Sequence, residues 1–228
     1  MKKKWFRIMI IVLTLFFGYK VVASGLNGFD ISSSFFKIGN NEASTKHGWN
    51  LILVNKDNYV PKNYEVSLLQ LSNAQQIDER IYPDLQDMFD DMRKQGVDPE
   101  VSWGYRTHET QRQLFDEGIK EREASGYSYA EAKRLAATAI AIPGTSEHEL
   151  GLAIDVADKG LAYATQPTYD WLASNSYKYG FILRYPENKT NITGIKYEPW
   201  HFRYVGKDHA KKMFDEKLVL EEYIETLN

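Results

Sequence analysis

Apolar residues between Pro83 and Gly96 recur at the spacing of one helix face. Four of them follow the i, i+3, i+4, i+7 pattern: Leu85, Met88, Phe89 and Met92. Pro83 suits the first turn of a helix, and Gly96 lies just past the last apolar residue. The pattern therefore predicts a helix that begins near Pro83 and ends before Gly96.

Two further helices are predicted from their capping residues. Thr107 can cap a helix that runs to about Gly118. Ser128 and Glu131 form a capping box for a helix through Ile140. Its apolar face would contain Ala132, Leu135, Ala136 and Ala139.

The last third of the chain predicts two more helical segments. Thr168 can cap a short helix that Gly180 ends. Residues 208–227 are predicted to be helical, with Met213 and Phe214 facing inward.

Short apolar runs with β-branched residues predict strands between these helices. They cover residues 51–54, 99–103, 152–157, 181–185 and 200–205. The helices come early and the strands cluster late, with no βαβ alternation and no internal repeat. This order favours an α+β domain with a small, mostly antiparallel sheet packed against helices.

Residues 1–24 have the composition of a membrane-targeting segment. Three lysines precede the apolar run 8–17, and small residues follow at 21–24. The run is short for a spanning helix of ~20 residues, so a signal peptide and an uncleaved N-terminal membrane anchor are both open. Residues 25–48, rich in Gly, Asn and Ser, are predicted to be a flexible spacer before a domain at 49–228. In either case the domain would be exported.

The charge of this domain argues against a nucleic-acid partner. The chain has 228 residues and a net charge of −3, but five basic residues precede Asp30, the first acid. The remainder carries 23 basic against 31 acidic residues, whereas phosphate binding needs a basic face. The sequence contains no cysteine, so zinc ligands would be His, Asp or Glu. Nothing indicates oligomerisation, and a monomer is expected.

Three candidate metal ligands lie in two segments about forty residues apart. His148 and Asp155 belong to the first segment, and His201 belongs to the second. A catalytic zinc site needs three such ligands and an open position for water. Asp155 interrupts an apolar run, where a carboxylate is costly unless it is paired or metal-bound. A partnership with an arginine or with backbone amides is the alternative.

Glu198 is the candidate general base. Pro199 favours extended geometry at Glu198 and bends the chain towards His201. A carboxylate beside a zinc-bound water, whose pKa is about 7, can take a proton from it. A surface-loop glutamate is the alternative reading.

The helical zinc motif H-E-x-x-H is excluded, although His148 and Glu149 begin like it. That motif needs a second histidine at the position held by Leu152. Glu149 is therefore expected at the surface.

Arg106 follows a predicted strand and precedes a predicted helix. A guanidinium there can stabilise an oxyanion or bind a carboxylate, although an ordinary salt bridge is the alternative. Ser146 could hydrogen-bond a substrate or cap a turn. Trp200, Tyr105 and Trp103 could line a cleft or belong to the core.

At these residues the chain resembles the VanY-type zinc carboxypeptidases of bacterial cell walls. The resemblance lies in Ser146-x-His148-x-x-Gly151-x-Ala153-x-Asp155 and in Glu198-x-Trp200-His201. It extends to residues 104–107 with Gln111, and to residues 53–56 with Pro61 and Tyr64. It covers about residues 49–206. The family shares its fold with VanX dipeptidases and Hedgehog signalling domains, which agrees with the predicted α+β class.

The resemblance implies a role for each matching residue. One zinc ion would be held by His148, Asp155 and His201. Glu198 would be the base, and Arg106 would stabilise the transition state. The implied substrate contacts are Ser146, Arg106, Trp200, Tyr105 and Gln111.

The expected function is an exported D-alanyl-D-alanine carboxypeptidase that removes the terminal D-alanine of peptidoglycan stem peptides. An L,D-carboxypeptidase acting on tetrapeptides and a peptidoglycan endopeptidase are alternatives with the same metal motif. A zinc-containing cell-wall binding domain and a metal-free domain with a chance motif are further alternatives. Wall remodelling and glycopeptide resistance would use the same chemistry.

Overall fold

The computed structural model describes residues 41–228. The predicted targeting segment at 1–24 and most of the predicted spacer lie outside these residues. Within the described range, the helices are too short or too polar to cross a membrane. Strand pairing already begins at Asn41, and Ala43 is buried in the core. Residues 41–48 therefore belong to the folded part, ahead of the boundary predicted at 49.

Eight short strands are present in the described chain. They are β1 (Asn41–Glu42), β2 (Asn58–Tyr59), β3 (Leu68–Gln70), β4 (Gln76–Asp78), β5 (Pro99–Trp103), β6 (Ala153–Asp158), β7 (Phe181–Leu183) and β8 (His201–Tyr204). Strands β5–β8 form an antiparallel sheet in the order β5-β6-β8-β7, while β1-β2 and β3-β4 form two-stranded sheets. The central pair of the larger sheet is β6 and β8, which carry two of the candidate ligands.

Seven α-helices accompany these strands in the described chain. They are α1 (Tyr82–Lys94), α2 (His108–Ala124), α3 (Tyr129–Ala136), α4 (Gln166–Asn175), α5 (Thr190–Thr193), α6 (Lys207–Glu216) and α7 (Leu220–Thr226). Single 3-10 turns cover Trp49–Leu51, Glu79–Ile81, Glu147–Leu150 and Ser176–Tyr179. The predicted α+β class with a small antiparallel sheet is confirmed.

Helix α1 has the predicted bounds and the predicted buried face. Pro83 lies in its first turn, and all four periodic apolar residues are buried. They join the main core, which also contains Val101 from β5, Ile154 from β6 and Phe202 from β8. Burying an aliphatic or aromatic side chain contributes roughly 1.5–3 kcal/mol, so this face fixes α1 against the sheet.

The predicted ends of α2 and α3 were wrong. Thr107 does cap α2, but the helix continues past Gly118 to Ala124. Gly118 is buried, and a Cβ there would lie 2.5 Å from Cδ1 of Ile140. The lack of a side chain at Gly118 allows α2 to pack closely against Ile140, and Gly118 does not end the helix. Ser128 caps α3 as predicted, yet the helix ends at Ala136 and not at Ile140.

The predicted cap of α4 was also displaced. The helix begins at Gln166 after Thr165, and Thr168 lies inside its first turn. The Thr168 hydroxyl donates to Asp158 Oδ1 at 2.6 Å, so it ties the helix to the end of β6. Gly180 ends the following 3-10 turn in the left-handed conformation, with φ 86°.

The C-terminal tail is helical as predicted, in two helices, α6 and α7. Lys217 adopts φ 55° between α6 and α7 and turns the chain. Met213 is buried as predicted, but Phe214 is 45% exposed, so its predicted inward orientation was wrong. Its ring stacks on Tyr177 at 3.9 Å between centroids.

The strand predicted at residues 51–54 is absent, because a 3-10 turn and extended chain occupy this region. Ile52 and Val54 are buried, which explains the apolar pattern. The carbonyls of Asn50 and Ile52 accept hydrogen bonds from Arg203 Nη2, at 3.1 and 2.9 Å. A side chain thus satisfies backbone groups that a neighbouring strand would otherwise satisfy.

Candidate metal centre

The sheet register brings two of the predicted ligands face to face. Asp155 on β6 pairs directly with His201 on β8. His148 reaches them from the 3-10 turn that precedes β6. Gly151 ends this turn with φ 73°, a left-handed conformation that glycine adopts at little cost. The chain changes direction at Gly151, so that β6 begins shortly after His148.

The three side chains converge on one point. Asp155 Oδ1 lies 3.3 Å from His148 Nε2 and 3.2 Å from His201 Nδ1. One ligand atom from each residue falls within 4.8 Å of the others. Ligand atoms at about 2.0–2.1 Å around a tetrahedral zinc are separated by roughly 3.3 Å. The two contacts of Asp155 therefore match the spacing of a shared metal.

The polar atoms of this group fit a zinc ion. Asp155 Oδ1 is buried and lacks a hydrogen-bond partner among the described residues. Such an atom costs about 1–3 kcal/mol, and more when charged, unless something satisfies it. Two imidazole nitrogens and one carboxylate oxygen form a donor set typical of catalytic zinc. His148, Asp155 and His201 thus meet the chemical requirement for zinc.

The remaining polar atoms of the ligands are oriented by neighbouring groups. His148 Nδ1 lies 2.8 Å from the carbonyl oxygen of Gly104 and can donate to it. That tautomer leaves the Nε2 lone pair for a metal. Arg106 Nη2 donates to Asp155 Oδ2 at 2.7 Å. Asp155 therefore has an arginine partner at Oδ2, as the alternative interpretation of this residue expected. Its Oδ1 faces both histidines.

Glu198 lies beside this group without belonging to it. Its Oε2 is 3.7 Å from His201 Nδ1. Two backbone hydrogen bonds hold the segment from Glu198 to His201. Glu198 N donates to Tyr185 O, and His201 N donates to Glu198 O. Glu198 is buried, so the surface-loop reading was wrong. It is placed to reach a group bound at the centre.

Burial raises the pKa of Glu198, and the charge of Asp155 adds to this effect. His201 and Arg106 oppose it, but the net pKa in the metal-free site is about 8. A carboxyl group with such a pKa can hold or release a proton near neutral pH.

The metal-free ligands differ in their proton affinity. Burial lowers the pKa of His148, and the charge of Arg106 lowers it further, to about 4. Burial also lowers the pKa of His201, but the neighbouring carboxylates of Asp155 and Glu147 outweigh it and raise the pKa to about 9. Burial raises the pKa of Asp155, yet both histidines and Arg106 hold it well below its usual range.

Arg106 is held at the edge of the centre by several contacts. Its side chain is 13% exposed, and its guanidinium lies 4.8 Å from the centre of the Trp103 ring. Arg106 Nη1 lies 3.4 Å from Gln111 Oε1, and Gln111 Nε2 donates to the carbonyl of Ala141. Gln111 is fully buried, so its contacts position Arg106. Arg106 Nε lacks a partner in the described chain.

Ser146, Tyr105 and Trp200 are next to these residues in the chain. Ser146 is buried just before the 3-10 turn, and its side chain does not cap that turn. The turn-cap reading of Ser146 was therefore wrong. Tyr105 and Trp200 are half-buried, and the Trp200 carbonyl accepts from Val156 N at 3.0 Å. All three flank the residues that converge on the centre.

The prediction that Glu149 lies at the surface was wrong. Glu149 is buried; its Oε1 accepts from Gly144 N at 2.8 Å, and its Oε2 lies 3.0 Å from His108 Nδ1. It braces the Pro143-Gly144 turn against the start of α2. The signal was present in the sequence, since apolar residues surround it at positions 150, 152 and 154.

Three buried charges behind the centre, together with the partly buried Glu221, were not predicted from the sequence. Glu147 Oε1 accepts from Arg184 Nε at 2.7 Å and from Arg203 Nη1 at 2.8 Å. Arg184 also donates to both oxygens of Glu221, at 2.8 and 2.7 Å. Each arginine interrupts an apolar or aromatic strand sequence, which is the signal that could have identified them.

Comparison with known proteins decides the family. The family model "VanY: D-alanyl-D-alanine carboxypeptidase" matches residues 74–207, more than half of the chain. The chain belongs to the VanY family. A D-alanyl-D-alanine carboxypeptidase of Enterococcus faecalis is 51% identical over 185 residues, which cover 81% of this chain and 69% of that protein.

Two solved structures agree with this membership. The vancomycin resistance D,D-pentapeptidase VanY, a mutant in complex with Zn(II), is 52% identical, with a TM-score of 0.74. The match covers 77% of this chain and 99% of that one. VanYB in complex with D-alanine-D-alanine is 52% identical, with a TM-score of 0.76 and coverage of 79% and 99%. These comparisons confirm the predicted family, fold, zinc cofactor and D-alanyl-D-alanine carboxypeptidase activity.

Proposed function

We propose that this VanY-family carboxypeptidase holds its zinc through His148 Nε2, Asp155 Oδ1 and His201 Nδ1. One observation carries the assignment: a buried, unsatisfied carboxylate oxygen lies between two imidazole nitrogens, at 3.2 and 3.3 Å. Zinc bound there would polarise the scissile carbonyl and make a coordinated water acidic. Glu198 and Arg106 lie next to this group, through their contacts with His201 and Asp155.

Glu198 acts as the general base in this proposal. It takes a proton from the attacking water and later delivers one to the leaving amine of the terminal D-alanine. Its buried position beside His201 suits both steps. Positioned acid–base catalysis of this kind contributes about 10²–10⁴-fold in rate.

Arg106 stabilises the oxyanion that forms when the scissile carbonyl is attacked. Asp155 and Gln111 hold the guanidinium in place, and Nε has no hydrogen-bond partner within residues 41–228. Charged donors of this kind are worth most where water is excluded. Ser146, Tyr105 and Trp200 would contact the peptide, while Gln111 would act through Arg106.

The substrate in this proposal is the peptidoglycan stem peptide ending in D-alanyl-D-alanine. A site that faces the cell wall follows from that substrate. Residues 1–24 would serve as signal peptide or membrane anchor, residues 25–40 would connect them to the folded domain, and the protein would act as a monomer. N-terminal sequencing of the exported protein distinguishes a cleaved signal from an anchor.

Product analysis of two substrates tests the activity. The protein is incubated with muramyl pentapeptide and, separately, with the tetrapeptide, and the products are measured by mass spectrometry. We expect loss of one D-alanine from the pentapeptide. Loss of alanine from the tetrapeptide alone would favour the L,D-carboxypeptidase, and cleavage inside the stem would favour the endopeptidase. A zinc-loaded protein that binds walls but cleaves neither peptide would favour a binding domain.

A further inference from the structure

His201 has a second ring nitrogen that the proposed zinc site does not use. Glu147 Oε2 faces this nitrogen, Nε2, at 3.5 Å. Both atoms are buried, and neither has a hydrogen-bond partner among the described residues. Because a buried polar atom left unpaired costs about 1–3 kcal/mol, the two atoms are best explained as partners of each other.

The other oxygen of Glu147 is firmly held. Arg184 and Arg203 both donate to Oε1, at 2.7 and 2.8 Å. The side chains of all three residues are fully buried. Charge-assisted bonds to one oxygen orient the carboxylate, and they leave only Oε2 for another donor.

Glu147 is not itself placed to bind the metal. It faces Nε2, whereas Asp155 Oδ1 faces Nδ1 of the same ring. The group of potential ligands contains His148, Asp155 and His201 but excludes Glu147. Its role towards a metal can therefore act only through His201.

We propose that Glu147 is a positioning residue that accepts the Nε2 proton of His201 and so keeps Nδ1 free to bind zinc. The inference rests on the zinc site proposed above. The imidazole can carry its single neutral-state proton on either nitrogen, and the partner of one nitrogen decides which one is left for the metal. For His148 the carbonyl of Gly104 has the corresponding role.

The support extends to the C-terminal helix. Arg184 donates to both carboxylate oxygens of Glu221, at the start of α7. Arg203 also donates to the carbonyls of Asn50 and Ile52. Both contacting segments lie outside residues 74–207, the range that the family model matches. Residues near both ends of the folded domain therefore position Arg184 and Arg203, and these two arginines position Glu147.

The variant Glu147→Gln tests the proposal on the full-length protein. The amide oxygen can still accept from the two arginines, which turns the amide NH₂ towards His201 Nε2. A donor there favours the tautomer with the proton on Nδ1, where it blocks the metal. We expect zinc affinity, measured by competition with a chromophoric chelator, to fall about 10–100-fold, as for other residues that orient metal ligands. The visible spectrum of the cobalt(II)-substituted protein should shift as well.

Glu149→Gln is the matched control, because it makes the same substitution at a buried glutamate of the same 3-10 turn. Glu149 contacts Gly144 and His108 but neither ring of the metal group. We expect its zinc affinity and cobalt spectrum to match the wild type. Cobalt reports coordination directly, so a purely structural loss of folding stability would not reproduce the spectral shift.

The outcomes separate this inference from the proposed function. A wild-type protein that binds no zinc would overturn the zinc site itself. A wild type that binds zinc, with Glu147→Gln binding it equally well and giving the same cobalt spectrum, would overturn only the role of Glu147. If Glu147→Gln does not fold, NMR of the zinc-loaded wild type decides. A hydrogen-bonded, slowly exchanging Nε2 proton on His201 supports the proposal, and rapid exchange with water contradicts it.

Discussion

Asp155 Oδ1 lies 3.2 Å from His201 Nδ1, because the two residues pair directly across strands β6 and β8. Asp155 also binds Arg106 through its second oxygen. One carboxylate therefore joins the metal group to the residue proposed to stabilise the oxyanion. The register of β6 and β8 sets the first distance, whereas the second depends on the loop after β5, which begins next to Trp103, the register partner of Asp155 on that strand.

Replacing Asp155 should remove zinc binding and activity together. In Asp155→Asn the negative charge that offsets the metal is lost, and Arg106 loses its ion-pair partner. We expect no stoichiometric zinc by elemental analysis after purification without chelator. Asp158→Asn at the end of the same strand is the control. It should keep zinc and lose only about 1 kcal/mol of folding stability, because Asp158 accepts hydrogen bonds from Thr165 and Thr168.

Replacing Glu198 should separate zinc binding from catalysis. Glu198→Gln keeps the shape of the side chain but cannot accept the proton of the attacking water. We expect full zinc content and a fall in kcat of about 10²–10⁴-fold, measured on the pentapeptide. The exposed Glu187 gives the control variant Glu187→Gln, which should match the wild type. Wild-type turnover in Glu198→Gln would eliminate Glu198 as the base.

Zinc affinity should depend on pH through His201. In the metal-free site its pKa is raised to about 9, so below that pH the ring is protonated and zinc must displace the proton. The apparent affinity should therefore fall roughly tenfold for each pH unit below 9, as expected for one displaced proton. Competition titrations between pH 6 and 9 check this, because His201 without zinc carries its extra proton over roughly this interval. An affinity that does not change over that interval would contradict the expectation.

Gly104→Ala should destabilise the fold and disturb His148. A Cβ at Gly104 would lie 2.1 Å from the carbonyl oxygen of Gln76, a backbone atom with little room to move. The Gly104 carbonyl is also the partner of His148 Nδ1. We expect a loss of about 1–3 kcal/mol in the free energy of unfolding by denaturant titration, together with weaker zinc binding.

Gly118→Ala is the matching comparison. There the added Cβ meets the flexible end of the Ile140 side chain, and alanine gains about 1 kcal/mol in helix propensity. Its unfolding free energy should fall less than that of Gly104→Ala, with zinc binding unchanged. A larger loss of unfolding free energy in Gly118→Ala than in Gly104→Ala would show that the contact with the Gln76 carbonyl is not the main cause of destabilisation.

Local patterns were sufficient for much of the fold. The apolar periodicity of α1 placed its buried face correctly, and Thr107 and Ser128 marked the starts of α2 and α3. Helix ends were predicted less well. Gly118 signals a helix end in isolation, but close packing against Ile140 accounts for it in the folded chain.

The candidate site shows the same division. His148, Asp155 and His201 could be selected from the sequence, because their side-chain chemistry and spacing match a family motif. Apolar neighbours in the sequence could have indicated that Glu149, Arg184 and Arg203 are buried, but local pattern could not identify their partners or the position of Glu147. Their partners lie far away in the chain, and only contacts between distant segments satisfy their charges.

The amino-acid sequence thus identified the family, the ligand types and most of the helices and strands, since each depends on residues close together in the chain. Tertiary structure decided which nitrogen of His201 faces Asp155 and which faces Glu147. It also placed the C-terminal helix behind the centre, through Glu221 and Arg184. Side-chain orientation and burial depend on strand register and on packing between remote segments, which no local pattern encodes.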